Sequence, residues 1–181
     1  RLKIVVPLTL AIIFLLLYLN FGRLTETLIV MLSVPFALVG GVWLMYALDY
    51  NLSVAVAVGF IALLGVAAET GVVMLVYLDQ SWRRIRGERA AAGVPVNSAD
   101  LRAAVIEGAV LRVRPKMMTV VAIMAGLLPI MWGSGTGSEV MRRIAAPMVG
   151  GMVSATVLTL VVIPVLYALI EGRRLGTRAG D

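Results

Sequence analysis

The sequence contains no cysteine and no histidine. That removes disulfides, thiolate and imidazole metal ligands, and any nucleophile built on a Ser–His or Cys–His pair. Acidic residues are few, 10 against 16 Lys and Arg, giving a net charge of +6 over 181 residues. Period-two alternation is also missing, which argues against a transmembrane barrel. There is no internal repeat, no low-complexity segment and no signal peptide. The chain starts at Arg1 rather than Met, so the expectation is a C-terminal fragment of something longer.

What is present is apolar. Hydrophobic residues make up 61% of the chain and the mean hydropathy is +1.00. A soluble domain of this size cannot hide that much apolar surface, whereas a bilayer accepts it. The class is an all-α membrane protein, because an open strand cannot satisfy its backbone in lipid. Five transmembrane helices are expected, at about 4–19, 28–48, 52–78, 116–132 and 144–170. A soluble enzyme and a nucleic-acid binder are both excluded by the hydropathy.

The basic residues set the orientation. One side holds Arg23, the loop 79–115 and the C-terminal tail to Arg178. The other holds only Arg1, Lys3, Arg142 and Arg143. The first side is therefore cytoplasmic. The N-terminus, the Asp49–Asn51 turn and GSGTGSE (133–139) face out. Within the cytoplasmic loop, RRIRGERAAAGVPVNS reads as a flexible connector. The following ADLRAAVIEGAVLRVRPK repeats apolar residues at helical spacing and has Asn97 or Ser98 as a cap. It reads as an amphipathic helix on the cytoplasmic membrane surface, with Pro115 in the first turn of the next span.

Two charged residues stand out. Glu69, in GVAAETGVVM (65–74), lies inside an apolar run from Leu52 to Leu78. An ionised carboxylate there costs several kcal/mol unless partnered, so a group poised between two protonation states is a candidate proton carrier. The plainer reading is a polar contact to a neighbouring helix. Lys116 flanks the short apolar stretch 117–132 and lies within reach of a neighbouring helix, where it could pair with Glu69; snorkelling to the headgroups is the plainer alternative. Thr119, one turn further on, could extend a polar path or simply bond its own helix.

Ten methionines are the only soft-metal ligands. Met141, Met148 and Met152 share one helix face, as do Met117, Met124 and Met131; filling gaps between helices explains most of them. Met141 fits that explanation least, since it lies in the polar SEVMRR. The pairs Ala37/Gly41, Ala67/Gly71 and Gly151/Ala155 are spaced for close helix approach, and Gly65 and Gly71 flank Glu69. Pro35, Pro129, Pro147 and Pro164 are expected to kink or end helices.

Several stretches also resemble a known family. VPFALVGG (34–41), GFIALLGVAAETGVVMLVYL (59–78), GAVLRVRPKMMTVV (108–121), GLLPIMWGSGTGSEVMRRIAAPMVGGM (126–152) and VVIPVLY (161–167) resemble the C-terminal transmembrane part of heavy-metal resistance-nodulation-division efflux permeases. The resemblance implies that the helices correspond to spans eight to twelve of a twelve-span permease. GVAAETGVVM is most similar to the copper and silver class. On that likeness Glu69 and Lys116 belong to a proton relay, completed by an acid on the absent fourth span, and Thr119 is the residue expected to extend it. Met141 inherits a place near the outer end of a methionine metal path. The implied activity is proton-driven efflux of Cu(I) and Ag(I), with divalent metals or organic drugs as the alternative cargo. No resident cofactor is implied. The implied assembly is a homotrimer in the bacterial inner membrane, with a periplasmic adaptor and an outer-membrane channel.

Overall fold

The structure, a computed structural model, describes the backbone of residues 2–178 and the side chains of residues 4, 5 and 7–175. Arg1 lies outside the described residues, as do the side chains of Lys3 and Arg178. The described residues form helices α1 (Leu2–Phe21), α2 (Leu24–Ala47), α3 (Val54–Ala91), α4 (Ser98–Trp132) and α5 (Ser138–Val157), a π-helical turn (Leu158–Val162) and α6 (Ile163–Arg178). Helix α2, helix α3, helix α4 and the continuous rod from Ser138 to Leu175 are each long and apolar enough to cross a membrane. Helix α1 adds a fifth apolar helix of 20 residues, about 30 Å long at 1.5 Å per residue. The all-α membrane fold expected from hydropathy is the fold observed.

The segment 79–115 is different from the expectation. Helix α3 does not end near Leu78 but continues through RRIRGERAA to Ala91. Helix α4 runs unbroken from Ser98 to Trp132, so the amphipathic segment and the fourth span are one helix, with no separate surface helix. Pro115 sits in the interior of α4, not at its start. Two causes explain the extension. The segment 79–91 carries strong helix formers and ion pairs at helical spacing, Arg83–Asp79 at 2.7 Å and Arg84–Glu88 at 3.0 Å. The two extensions also pack on each other: Leu101, Ala104 and Gly108 of α4 are buried, and a Cβ on Gly108 would lie 3.1 Å from the Leu78 backbone. Arg84 reaches Glu107, and Arg89 bonds Asp100 at 3.0 Å. The start of α4 is fixed by a capping box. Asn97 Oδ1 accepts from the Asp100 N–H at 2.9 Å, and Asp100 Oδ2 accepts from the Asn97 N–H at 3.1 Å.

Pro35, Pro129 and Pro147 also lie within continuous helices and end none of them. Pro164 follows the π-helical turn. Proline lacks the N–H that would continue the ladder, and a wider turn before it takes up the mismatch.

The small-residue pairs meet. Ala37 of α2, Ala67 of α3 and Ala155 of α5 form one buried cluster. Nearby, a Cβ on Gly40 would collide with the Gly150 carbonyl, so α2 and α5 touch backbone to backbone. Ser154 Oγ joins them, accepting from the Gly40 N–H at 3.2 Å and donating to the Ala37 carbonyl at 3.0 Å. The main core lies towards the end that carries the α3 and α4 extensions, around Trp82, Tyr167, Met74, Leu78 and Leu101. Helix α1 packs chiefly on α2 and leaves most of its surface exposed.

A square of charges closes the same end. Glu26 of α2 and Glu171 of α6 are buried, and Arg23 and Arg174 lie over them. Arg174 pairs with Glu171 at 2.5 Å and Glu26 at 3.9 Å; Arg23 pairs with Glu26 at 3.3 Å and Glu171 at 3.9 Å. Desolvation pulls the Arg23 pKa down. The hydrogen bond to Glu26 and the charges of Glu26, Asp79 and Glu171 outweigh it and hold the guanidinium above its usual value.

Candidate functional site

The site forms where α3 and α4 run side by side. Three consecutive residues of α3 point three ways, because neighbours on an α-helix are about 100° apart. Glu69 is exposed on the surface of the chain. Thr70 faces α4. Gly71 faces α2 and α6, where a Cβ would stand 3.2 Å from Ser33 Oγ and 3.7 Å from Ile163. Gly71 thus admits neighbouring helices, but on a different face from Glu69, so the expectation that it brings a helix close to the carboxylate is not met. Gly65 admits none either, since a Cβ there would meet nothing within 4 Å. Gly65 lines an apolar groove of about 450 Å³ between α1, α2 and α3.

Lys116 is buried, with 4% exposure, and does not snorkel to the surface of the chain. Its Nζ donates to Thr70 Oγ1 at 2.9 Å. Thr70 in turn donates its hydroxyl proton to the Val66 carbonyl at 2.6 Å. The result is a directed chain from ammonium to hydroxyl to backbone carbonyl. Glu69 makes no ion pair within 4.0 Å and no hydrogen bond among the described residues. Its charge still acts on Lys116, as does that of Arg112 one turn earlier on α4. Arg112 itself stacks over the Tyr77 ring, 5.1 Å from its centroid.

Thr119 is exposed, and its hydroxyl donates to the Pro115 carbonyl at 3.1 Å. No hydrogen bond joins it to Thr70 or Lys116 among the described residues. Sequence reasoning singled out Glu69 and Lys116 but passed over Thr70, the residue that touches Lys116. Its position next to Glu69 was visible; the rotation of α3 against α4 was not.

Met141 lies in the first turn of α5 and is 55% exposed. It borders an open cavity of about 580 Å³ at the opposite end of the helices from the charge square, lined by the loop 133–138 and Ile130. Met152 is buried in the interior, as gap-filling predicts. No cluster of three or more acidic residues suited to a metal ion occurs among the described residues.

This arrangement has recognisable relatives. The model of the AcrB/AcrD/AcrF family matches residues 1–171. The chain is 57% identical over 171 residues to the cation efflux system protein CusA of Escherichia coli O157:H7, covering 94% of this chain and 16% of that protein. It is 54% identical over 174 residues to the putative cation efflux system protein SilA of Salmonella typhimurium, covering 96% of this chain and 16% of that protein. It superposes on the crystal structure of a heavy metal efflux pump with a TM-score of 0.79 and 37% identity, over 94% of this chain and 15% of that one. The chain thus spans about a sixth of the length of the curated relatives it matches.

Proposed function

The chain belongs to the AcrB/AcrD/AcrF family, and from that premise we propose that it is the C-terminal membrane part of a proton-driven exporter of Cu(I) and Ag(I). The observation that carries the reading is an exposed Glu69 on α3 whose charge acts on a buried Lys116 on the adjacent α4. A carboxylate on the outside of an apolar span is costly in lipid. Another part of the full-length permease must cover it, and an acid on the absent fourth span meets Glu69 across that face. Glu69 takes up a proton from the outer side and releases it inside. Its change of charge alters its attraction for the Lys116 ammonium and so biases two packings of α3 against α4. Thr119 stands one turn along α4, placed to pass protons on that helix's exposed side.

The cargo assignment rests on the likeness of GVAAETGVVM to the copper and silver class and on the identity with cation efflux proteins above. Thioether sulfur suits a soft monovalent ion, and Met141 stands at the mouth of the outer cavity as the ligand. The working assembly is a homotrimer in the inner membrane, joined to a periplasmic adaptor and an outer-membrane channel. Divalent metals are the second reading.

The test is silver and copper tolerance conferred by the full-length permease, wild type against Glu69→Gln, at equal abundance in membranes. Tolerance is expected to be lost in the variant. Full tolerance in Glu69→Gln would make Glu69 structural, and wild-type tolerance to zinc and cobalt alone would move the cargo to divalent ions.

A further inference from the structure

Two consecutive residues of α3 act on Lys116, Glu69 through its charge and Thr70 through a hydrogen bond. The ammonium rests on Thr70 Oγ1 at 2.9 Å, while Glu69 faces away, one helical step round. Thr70 is suited to this role because its own proton is already given to the Val66 carbonyl, which leaves the oxygen lone pairs turned to the lysine. Without that oxygen, the buried ammonium of Lys116 would have no hydrogen-bond acceptor on α3 other than the Glu69 carboxylate or a backbone carbonyl. The other charges acting on Lys116 are Glu69 from α3 and Arg112 from α4, and Arg112 repels it.

We propose that Thr70 is a positioning residue for the relay: its hydroxyl is the anchor on which the Lys116 ammonium rests while Glu69 is neutral, and from which Lys116 moves when Glu69 ionises. The step involves no covalent change. One proton joins or leaves the Glu69 carboxylate, and one N–H···O contact of Lys116 is exchanged for another. Thr70 therefore sets how completely Lys116 leaves Glu69 in the neutral half of the cycle. The inference rests on the reading of Glu69 as the proton carrier.

The side chain offers a clean dissection. Thr70→Val keeps the shape and removes the hydroxyl, and Thr70→Ser keeps the hydroxyl and removes the methyl. The full-length permease is reconstituted in vesicles with an imposed pH gradient, and Ag(I) transport is followed against Ag(I) concentration, with Glu69→Gln beside it. Loss of a hydrogen bond to a charged group predicts a fall of about tenfold in the maximal rate of Thr70→Val. The half-saturating Ag(I) concentration is unchanged, since no cargo ligand is touched. Thr70→Ser restores most of the rate. A purely structural role for the side chain predicts the opposite order, with Val tolerated and Ser impaired. The proposal is overturned if Thr70→Val matches wild type while Glu69→Gln is dead, or if Ser fails to rescue a folded protein. Active Glu69→Gln would instead overturn the reading of Glu69, and is recognisable as such. Should Thr70→Val not fold, Thr70→Asn supplies a second acceptor at the same place, and inactivity of folded Thr70→Asn together with folded Thr70→Ser counts against the anchor.

Discussion

A single thioether separates two accounts of the outer end. Met141 is exposed beside the cavity of the 133–138 loop, whereas Met152, about three turns along the same helix, is buried in the packing. If Met141 were only filler it would gain nothing from sulfur, and an equally bulky leucine would serve. Met141→Leu is therefore expected to lower silver and copper tolerance several-fold while leaving abundance and fold intact, and Met152→Leu to change tolerance little. Equal tolerance in both variants, measured as the inhibitory silver concentration for cells expressing the full-length permease, would remove Met141 from the metal path. At this scale the sequence was informative about Glu69 and Lys116 because charge inside an apolar run is visible without coordinates. It was silent about Thr70. A threonine in a membrane helix is ordinary, and only the rotation that turns it onto Lys116 gives it a role.

Helix identity was legible wherever hydropathy decided it, and boundaries were not. The apolar window marks where lipid is, and α3 and α4 both run on past that window. Their extensions are stabilised by contacts between segments distant in the chain, such as Arg84 with Glu107 and Arg89 with Asp100, which no local pattern reports. The same holds for the charge square that ties α2 to α6. Its asymmetry yields a prediction. Both carboxylates are buried, while the side chains of Arg23 and Arg174 are 43% and 42% exposed. Removing Glu171 lets Arg174 turn to water and keep Thr25, to which it donates at 2.9 Å. Removing Arg174 leaves two buried carboxylates with a single guanidinium between them, and an uncompensated buried charge is the costlier outcome. Arg174→Ala should thus lower the Tm of the detergent-solubilised permease more than Glu171→Ala does, with a cost on the order of 2 kcal/mol. Equal or reversed losses would show that Arg23 alone satisfies both acids.

Over the whole molecule the two ends differ in kind, and the difference predicts an orientation that can be tested. One end gathers Arg23, Arg83, Arg84, Arg86, Arg89, Arg102, Arg173 and Arg174 around the long α3 and α4 extensions. Among the described side chains the other has Arg142 and Arg143, and both are engaged in structure. Arg142 donates to the Gly133 carbonyl at 3.0 Å, and Arg143 lies over the Tyr50 ring, 5.4 Å from its centroid. Those two arginines pin the 133–138 loop and the Asp49–Asn51 turn to α5; the larger basic cluster is the one that the charge rule keeps in the cytoplasm. The absence of cysteine from this chain makes the test direct. Thr136 is exposed in the outer loop, and Gly87 is exposed on the α3 extension with open space around its Cβ position. In a full-length permease freed of any other cysteine, Thr136→Cys should react with a membrane-impermeant maleimide added to intact spheroplasts. Gly87→Cys should react only after the membrane is opened. The reverse pattern would invert the molecule, place Met141 on the cytoplasmic side, and reverse the direction in which Glu69 must pass its proton.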